Sequence, residues 1–212
     1  MRAGRPCKTR FPRCWVLGGL NQNANLALLA LGANLPSSAG PPELTLRKAL
    51  AELGKHDAIQ AVAISRFWRT PAFPAGSGPD YVNAAAVFAC QLEPEALLAQ
   101  MHRVEAAFGR RRAGLRWQAR GLDLDLLAFG DRVLPDAATQ DGWRALPLEQ
   151  QAQTAPEGLV LPHPRLQERG FVLAPLAEIA PGWCHPRLGR TVAELLAALP
   201  QGALDGMKPA HT

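Results

Sequence analysis

Between Leu26 and Phe129 the apolar residues switch between strand and helix periods in an order that leaves few folds open. The run Leu26-Ala-Leu-Leu-Ala-Leu31, stopped by Gly32 and Asn34, reads as a buried first strand. Leu44, Ala49, Leu50 and Leu53 recur at helical spacing over residues 43–53. Ala58 to Trp68 reads as a second strand and Tyr81 to Gln91 as a third, with Val82, Ala84, Ala86 and Phe88 alternating against Asn83, Ala85 and Val87. Pro94 at a first-turn position opens a second helix through Phe108, whose Leu97, Leu98, Met101, Val104 and Phe108 share one side. Leu122 to Phe129 makes a fourth strand. Strand, helix, strand, strand, helix, strand is the order of an α+β, ferredoxin-like βαββαβ sandwich: an antiparallel-rich sheet with helices on one face.

The flanks carry different expectations. Residues 1–25 hold Arg2, Arg5, Lys8, Arg10 and Arg13, no acid and no periodicity, so they are expected to be a disordered basic extension. The remaining residues carry 18 basic and 18 acidic side chains, so the net charge of +5 reports on that extension and says little about nucleic acid or membranes. No apolar run approaches the ~18–20 residues of a membrane helix. Residues 130–158, rich in Asp, Pro, Gln and Ala, are too long for a connection of ~4–6 residues and read as an insertion or lid within one domain over 26–200. Two short helical patterns, Phe171 to Ile179 and Val192 to Leu199, precede a tail over 201–212. Cys7, Cys14, Cys90 and Cys184 form no CxxC pair and no zinc spacing, which favours reduced thiols and a cytoplasmic chain. Cys184-His185 lacks the neighbours that a metal site would need.

Chemistry concentrates in four places. In Leu122-Asp123-Leu124-Asp125-Leu126 the leucines enter the core, while Asp123 and Asp125 stand on one face with Cβ atoms ~6.5–7 Å apart. Such a pair can hold two hard cations for displacement at phosphorus, although an LDLDL strand is also a common solvated face. Residues 110–120 contain five arginines, one tryptophan and no acid. Guanidinium forks suit polyphosphate, and the same loop also suits RNA or plain solvent. Leu161-Pro-His163-Pro-Arg165 confines one histidine between prolines, and Arg169 follows; a phosphate contact and a surface histidine both fit. Tyr81 and Asn83 share a strand face, where a ring can stack on a flat heterocycle and an amide can read its edge. GxxxxGK[ST] is absent, and Gly76-Ser-Gly78 lacks the third glycine of a dinucleotide loop, so a nucleotide site here is built in another way.

Taken together, Leu31-Gly-Ala-Asn-Leu35, Ser65 to Pro71, Pro79 to Ala85, Glu105 to Arg112, Arg116-Trp117, Arg120 to Leu127, Leu161-Pro-His163 and Arg169 to Pro181 resemble the 6-hydroxymethyl-7,8-dihydropterin pyrophosphokinases of folate biosynthesis. The resemblance implies Mg²⁺-dependent transfer of pyrophosphate from ATP to the pterin hydroxymethyl group, with AMP released. It places two Mg²⁺ on Asp123 and Asp125, and Arg110 and Arg120 at the reacting phosphates. His102, Glu105, Arg112, Arg116, Trp117, Leu126, His163 and Arg169 fall at nucleotide positions. Tyr81 and Phe171 fall at the walls of the pterin slot, Asn83 at its hydrogen-bonding edge, and Thr70, Pro71, Phe73 and Trp117 around it. Loops 71–80 and 109–121 are expected to close over both substrates. His102 stands where the family often has Gln, and Gln118-Ala119 and Gly121 replace Gly-Pro and Thr, losing a stiffening proline. The expected partners are small molecules, with no nucleic acid or membrane, and the expected state is a monomer. The rival readings are a ferredoxin-like RNA-binding module and a catalytically inactive relative.

Overall fold

Strand β1 (Asn25–Ala33) lies inside the sheet and has no charged side chain, because β4 (Tyr81–Cys90) and β5 (Asp123–Phe129) flank it. The computed structural model describes residues 9, 24–72, 78–109 and 121–210, the side chains of 148, 151 and 152 excepted. Among the described residues the strand order is β5, β1, β4, β3 (Trp68–Thr70) and β8 (Lys208–Pro209), with β2 (Ile59–Ile64) also on β4, and every pairing is antiparallel. This is the ferredoxin-like order expected from the sequence.

Helices α1 (Pro42–Leu53) and α2 (Pro94–Ala107) each begin with proline in the first turn, where no N–H partner is needed. Their Leu46, Leu50, Leu97 and Met101 pack on Leu29, Leu31, Phe88, Leu124 and Leu126 of one sheet face. Each fully buried side chain of this kind is worth about 1.5–3 kcal/mol.

Two departures from the sequence reading shape the site. The span Ala58 to Trp68 is two strands, β2 and β3 (Trp68–Thr70), because the register slips between Ala61 and Ala63 and Ser65 intervenes. Ala85 N donates to Ser65 Oγ at 2.9 Å, so a hydroxyl replaces a ladder carbonyl there and the strand path breaks. The second sheet face is also covered. Leu28, Val87 and Leu127 pack against Val172, Leu173 and Leu176 of α5 (Gly170–Ile179). A helix this apolar on nearly every side cannot stay at a surface.

Residues 130–158 hold helices α3 (Ala137–Ala145) and α4 (Leu148–Gln153). Asp136 caps α3 by accepting from Thr139 N at 2.9 Å. Buried Gln140 donates to Pro162 O at 3.1 Å, tying α3 to the His163 segment. A two-stranded ribbon, β6 (Cys184–His185) with β7 (Arg190–Thr191), leads into α6 (Val192–Ala197), which starts in a Thr191/Glu194 capping box. The chain then returns to the sheet as β8 (Lys208–Pro209), pairing with β3.

Cys90 is a buried free thiol, but Cys184 is disulfide-bonded, so the four cysteines are not all reduced. Spacing along the chain carries no signal for a bridge between residues distant in sequence. The backbone N–H of Cys184 also donates to Thr9 Oγ1 at 3.3 Å. Among the described residues, no helix is long and apolar enough to cross a membrane.

Candidate active site

The alternation of β5 does what its pattern requires. Leu122, Leu124 and Leu126 are buried in the α1/α2 layer, and Asp123 and Asp125 lie half-buried on the opposite face. Antiparallel pairing puts Asp123 beside Gly32, Gly32 beside Asn83, and Asn83 beside Trp68. Asp123 and Asn83 therefore flank a glycine floor, two strand spacings or about 10 Å apart. Asp125 lies in the next row, beside Ala30 and Ala85.

Gly32 cannot be exchanged freely. A Cβ there would stand 2.8 Å from Asn83 Oδ1. Asn83 itself is buried and donates from Nδ2 to Thr70 Oγ1 at 2.7 Å, which fixes the amide plane. Tyr81 follows on the same face of β4, opposite Thr70. Asn34, also buried, donates to Pro79 O at 3.4 Å and ties the end of β1 to the start of the Asp80-Tyr81 segment.

One wall comes from the start of α5. Arg169 Nη1 lies 3.3 Å from Asp125 Oδ2, and its guanidinium carbon is 5.7 Å from the centroid of the Phe171 ring. Arg169 thus links the carboxylate row to an aromatic ring that remains 40% exposed. The second contributor runs along the free edge of β5, where His163 N donates to Leu127 O at 2.8 Å. A turn closed by Leu166 N to His163 O at 3.0 Å follows, so the prolines frame a turn instead of an extended stretch. Arg165 N donates to His163 Nδ1 at 3.1 Å, which assigns the ring proton to Nε2. The ring keeps some exposed edge but is packed on most sides. That loss of water, reinforced by the charges of Arg169 and Arg165 and opposed by Asp123, pushes its pKa down to about 3.

The same edge explains Glu105. Its buried carboxylate accepts from Leu124 N at 2.8 Å, the peptide N–H between the two aspartates. Among the described residues β5 pairs only with β1, so this N–H has no strand neighbour there, and α2 supplies the acceptor.

The structure therefore brings Asp123, Asp125, His163, Arg169 and Phe171 together, with Tyr81, Asn83, Thr70 and exposed Pro71 in the adjoining rows. Leu126 has its side chain in the core, and His102 lies on α2, in the layer behind the sheet. Phe73, Arg110, Arg112, Arg116, Trp117 and Arg120 lie outside the described residues, as do 73–77 of loop 71–80 and 110–120 of loop 109–121. Gly32 and Asn34 were legible only as a strand stop, and their part in the floor emerges from the register. A ferredoxin-like RNA-binding module reads its ligand on an open sheet face, and here α5 and α6 occupy that face next to the site.

The family model described as 7,8-dihydro-6-hydroxymethylpterin-pyrophosphokinase (HPPK) matches residues 28–181, spanning β1, both aspartates, His163 and Arg169. The chain belongs to that family. The 2-amino-4-hydroxy-6-hydroxymethyldihydropteridine pyrophosphokinase of a Synechocystis species is 37% identical over 82% of this chain and 76% of its own. That of Methylorubrum extorquens is 35% identical over 84% of this chain and 96% of its own. The solved Plasmodium falciparum HPPK-DHPS shares the fold at a TM-score of 0.56 and 14% identity, over 82% of this chain. This chain spans 43% of that longer one.

Proposed function

We propose that this chain transfers pyrophosphate from ATP to the hydroxymethyl group of 6-hydroxymethyl-7,8-dihydropterin, giving the pterin diphosphate and AMP in tetrahydrofolate biosynthesis. The observation that carries the reading is the row Asp123–Gly32–Asn83. One glycine floor has phosphate chemistry at one end and a heterocycle-reading amide at the other.

On the pterin side, Tyr81 and Phe171 wall a flat ring, and Asn83, held by Thr70, pairs with its donor and acceptor edge. Pro71, Phe73 and Trp117 complete the surround. On the phosphate side, Asp123 and Asp125 would hold Mg²⁺. Two carboxylates on one strand face, with no cluster of three His, Cys, Asp or Glu among the described residues, suit an ion that takes its remaining ligands from phosphates and water. Two such ions would neutralise phosphate charge and hold the β-phosphorus in line with the attacking hydroxyl.

The protein's own groups then act by placement and charge. Arg169 reaches from Asp125 toward the nucleotide, and His163 offers a neutral Nε2–H donor whose tautomer is fixed. Arg110 and Arg120 reach the reacting phosphates, with Arg112, Arg116 and Trp117 as further nucleotide positions; Leu126, its side chain in the core, offers only its backbone there, and His102 and Glu105 stand on α2. Loops 71–80 and 109–121 close over both substrates and exclude water, a competing nucleophile. The chain works as a monomer on small molecules in the cytoplasm, with neither nucleic acid nor membrane as partner.

Chromatography of the products from ATP, Mg²⁺ and the pterin tests the proposal. Pterin-dependent AMP matched by pterin diphosphate is expected. ADP in place of AMP would mean single phosphoryl transfer, and no turnover would mean an inactive relative.

A further inference from the structure

The C-terminal segment closes back onto the site from outside the family-matched residues 28–181, and nothing in its sequence pattern announces a role. Ala203 O and Leu204 Cδ2 press on the first residue of α5: a Cβ on Gly170 would stand 2.6 and 2.9 Å from them. Gly206, at φ +73, presses on Pro71 in the same way, where a Cβ would stand 2.7 Å from Pro71 Cγ. Lys208 and Pro209 then pair with Arg69 and Trp68, and Ala210 N donates to Phe67 O at 2.7 Å. A single short strap thus touches both flanks of the floor. One is the α5 start that carries Arg169 and Phe171, and the other is the β3 end that carries Thr70 and Pro71.

We infer that residues 203–210 set the separation between Phe171 and the Thr70–Pro71 edge, and that Leu204 is a positioning residue for the pterin. The inference rests on the pyrophosphokinase reading above. At each end the strap meets a glycine–neighbour contact with no slack, and close-packed groups transmit a distance that loose side chains would absorb. Among the described residues, Leu204 and Phe171, 41% and 40% exposed, are two of the few large apolar side chains left open, and Leu204 rests on Gly170, the residue next to Phe171. Leu204 thus backs the backbone from which Phe171 projects. The ligand they suit is a flat, aromatic-faced heterocycle.

The test is steady-state kinetics on Leu204→Ala, Leu204→Met and Gly206→Ala in the full chain, reading KM for the pterin and for ATP separately. Leu204→Ala is expected to raise the pterin KM about tenfold, since small misplacements at a reacting pair are costly. The ATP KM should stay within about twofold, and Leu204→Met should recover most of the loss. Gly206→Ala, whose methyl would push on Pro71, should give the same split with Leu204 intact, so the inference remains testable if Leu204→Ala does not fold. A pterin KM unchanged in both alanine variants, or pterin and ATP KM values rising together, would overturn the strap inference. Wild-type protein without pterin-dependent AMP would overturn the functional reading itself, and with it this inference.

Discussion

The carboxylate of Glu105 accepts the backbone N–H of Leu124 at 2.8 Å, so a side chain of α2 grips β5 midway between Asp123 and Asp125. The two aspartates cannot shift along or away from the sheet edge without breaking that bond.

Replacing Glu105 with alanine should therefore destabilise the fold by about 1–3 kcal/mol, the cost of stranding a buried N–H. Glu105→Gln keeps an acceptor and should recover most of it. Urea unfolding of the two variants measures the difference, and equal stabilities would show that Glu105 does not anchor β5.

Gly32→Ala should act on the pterin end alone. Its methyl would stand 2.8 Å from Asn83 Oδ1 and must displace the amide that Thr70 holds. The expected result is a pterin KM raised about tenfold or more with the ATP KM little changed. Equal loss for both substrates would place the floor elsewhere.

Arg169→Lys should not substitute for arginine. The planar guanidinium lies 3.3 Å from Asp125 and over Phe171 at once, which an ammonium cannot reproduce. A fall in kcat/KM of about tenfold to a hundredfold is expected for lysine, and more for alanine. Full activity in Arg169→Lys would reduce the residue to a point charge.

Two histidines packed largely away from water give the chain an acid-side weakness. Burial first, with arginine charges adding, pushes His163 to about 3 and His185 to about 4, against about 6.5 in the unfolded chain. Between those values the unfolded state binds more protons than the native one. Their contribution to stability is complete above about pH 6.5 and is lost as pH falls toward 4, by up to about 1.4 kcal/mol per pH unit for each ring. Urea unfolding from pH 7.5 to 4.5 should show this slope, and His163→Gln should flatten it. The same shift keeps His163 neutral at working pH, so the activity profile of the wild type should carry no inflection from it near 6.5.

The sheet and the two helices of its first face were legible because their apolar periods are unbroken, and Asp123 and Asp125 because alternation on a strand fixes a face. The break between β2 and β3 left no trace in the pattern, since Ser65 makes it by trading a backbone partner for a hydroxyl. Helix α3 was hidden because its buried contact is Gln140, a polar residue that no hydrophobic period can reveal. Gly32 read as a strand stop because a glycine floor is defined only by what lies on either side, Asp123 on β5 and Asn83 on β4. The strap over 203–210 is held by backbone pairing and glycine contacts, and such contacts carry no side-chain signature.

The central claim is that the Asp123/Asp125 face of β5 carries the transfer. Its most direct test is the initial rate of pterin-dependent AMP formation by wild type and by the Asp123→Asn, Asp125→Asn double variant, with circular dichroism confirming an unchanged fold. A drop of about a thousandfold or more in the double variant is expected, since removing one preorganised electrostatic contact already costs about a hundredfold to a thousandfold. A double variant that still forms AMP at a near wild-type rate would contradict the account.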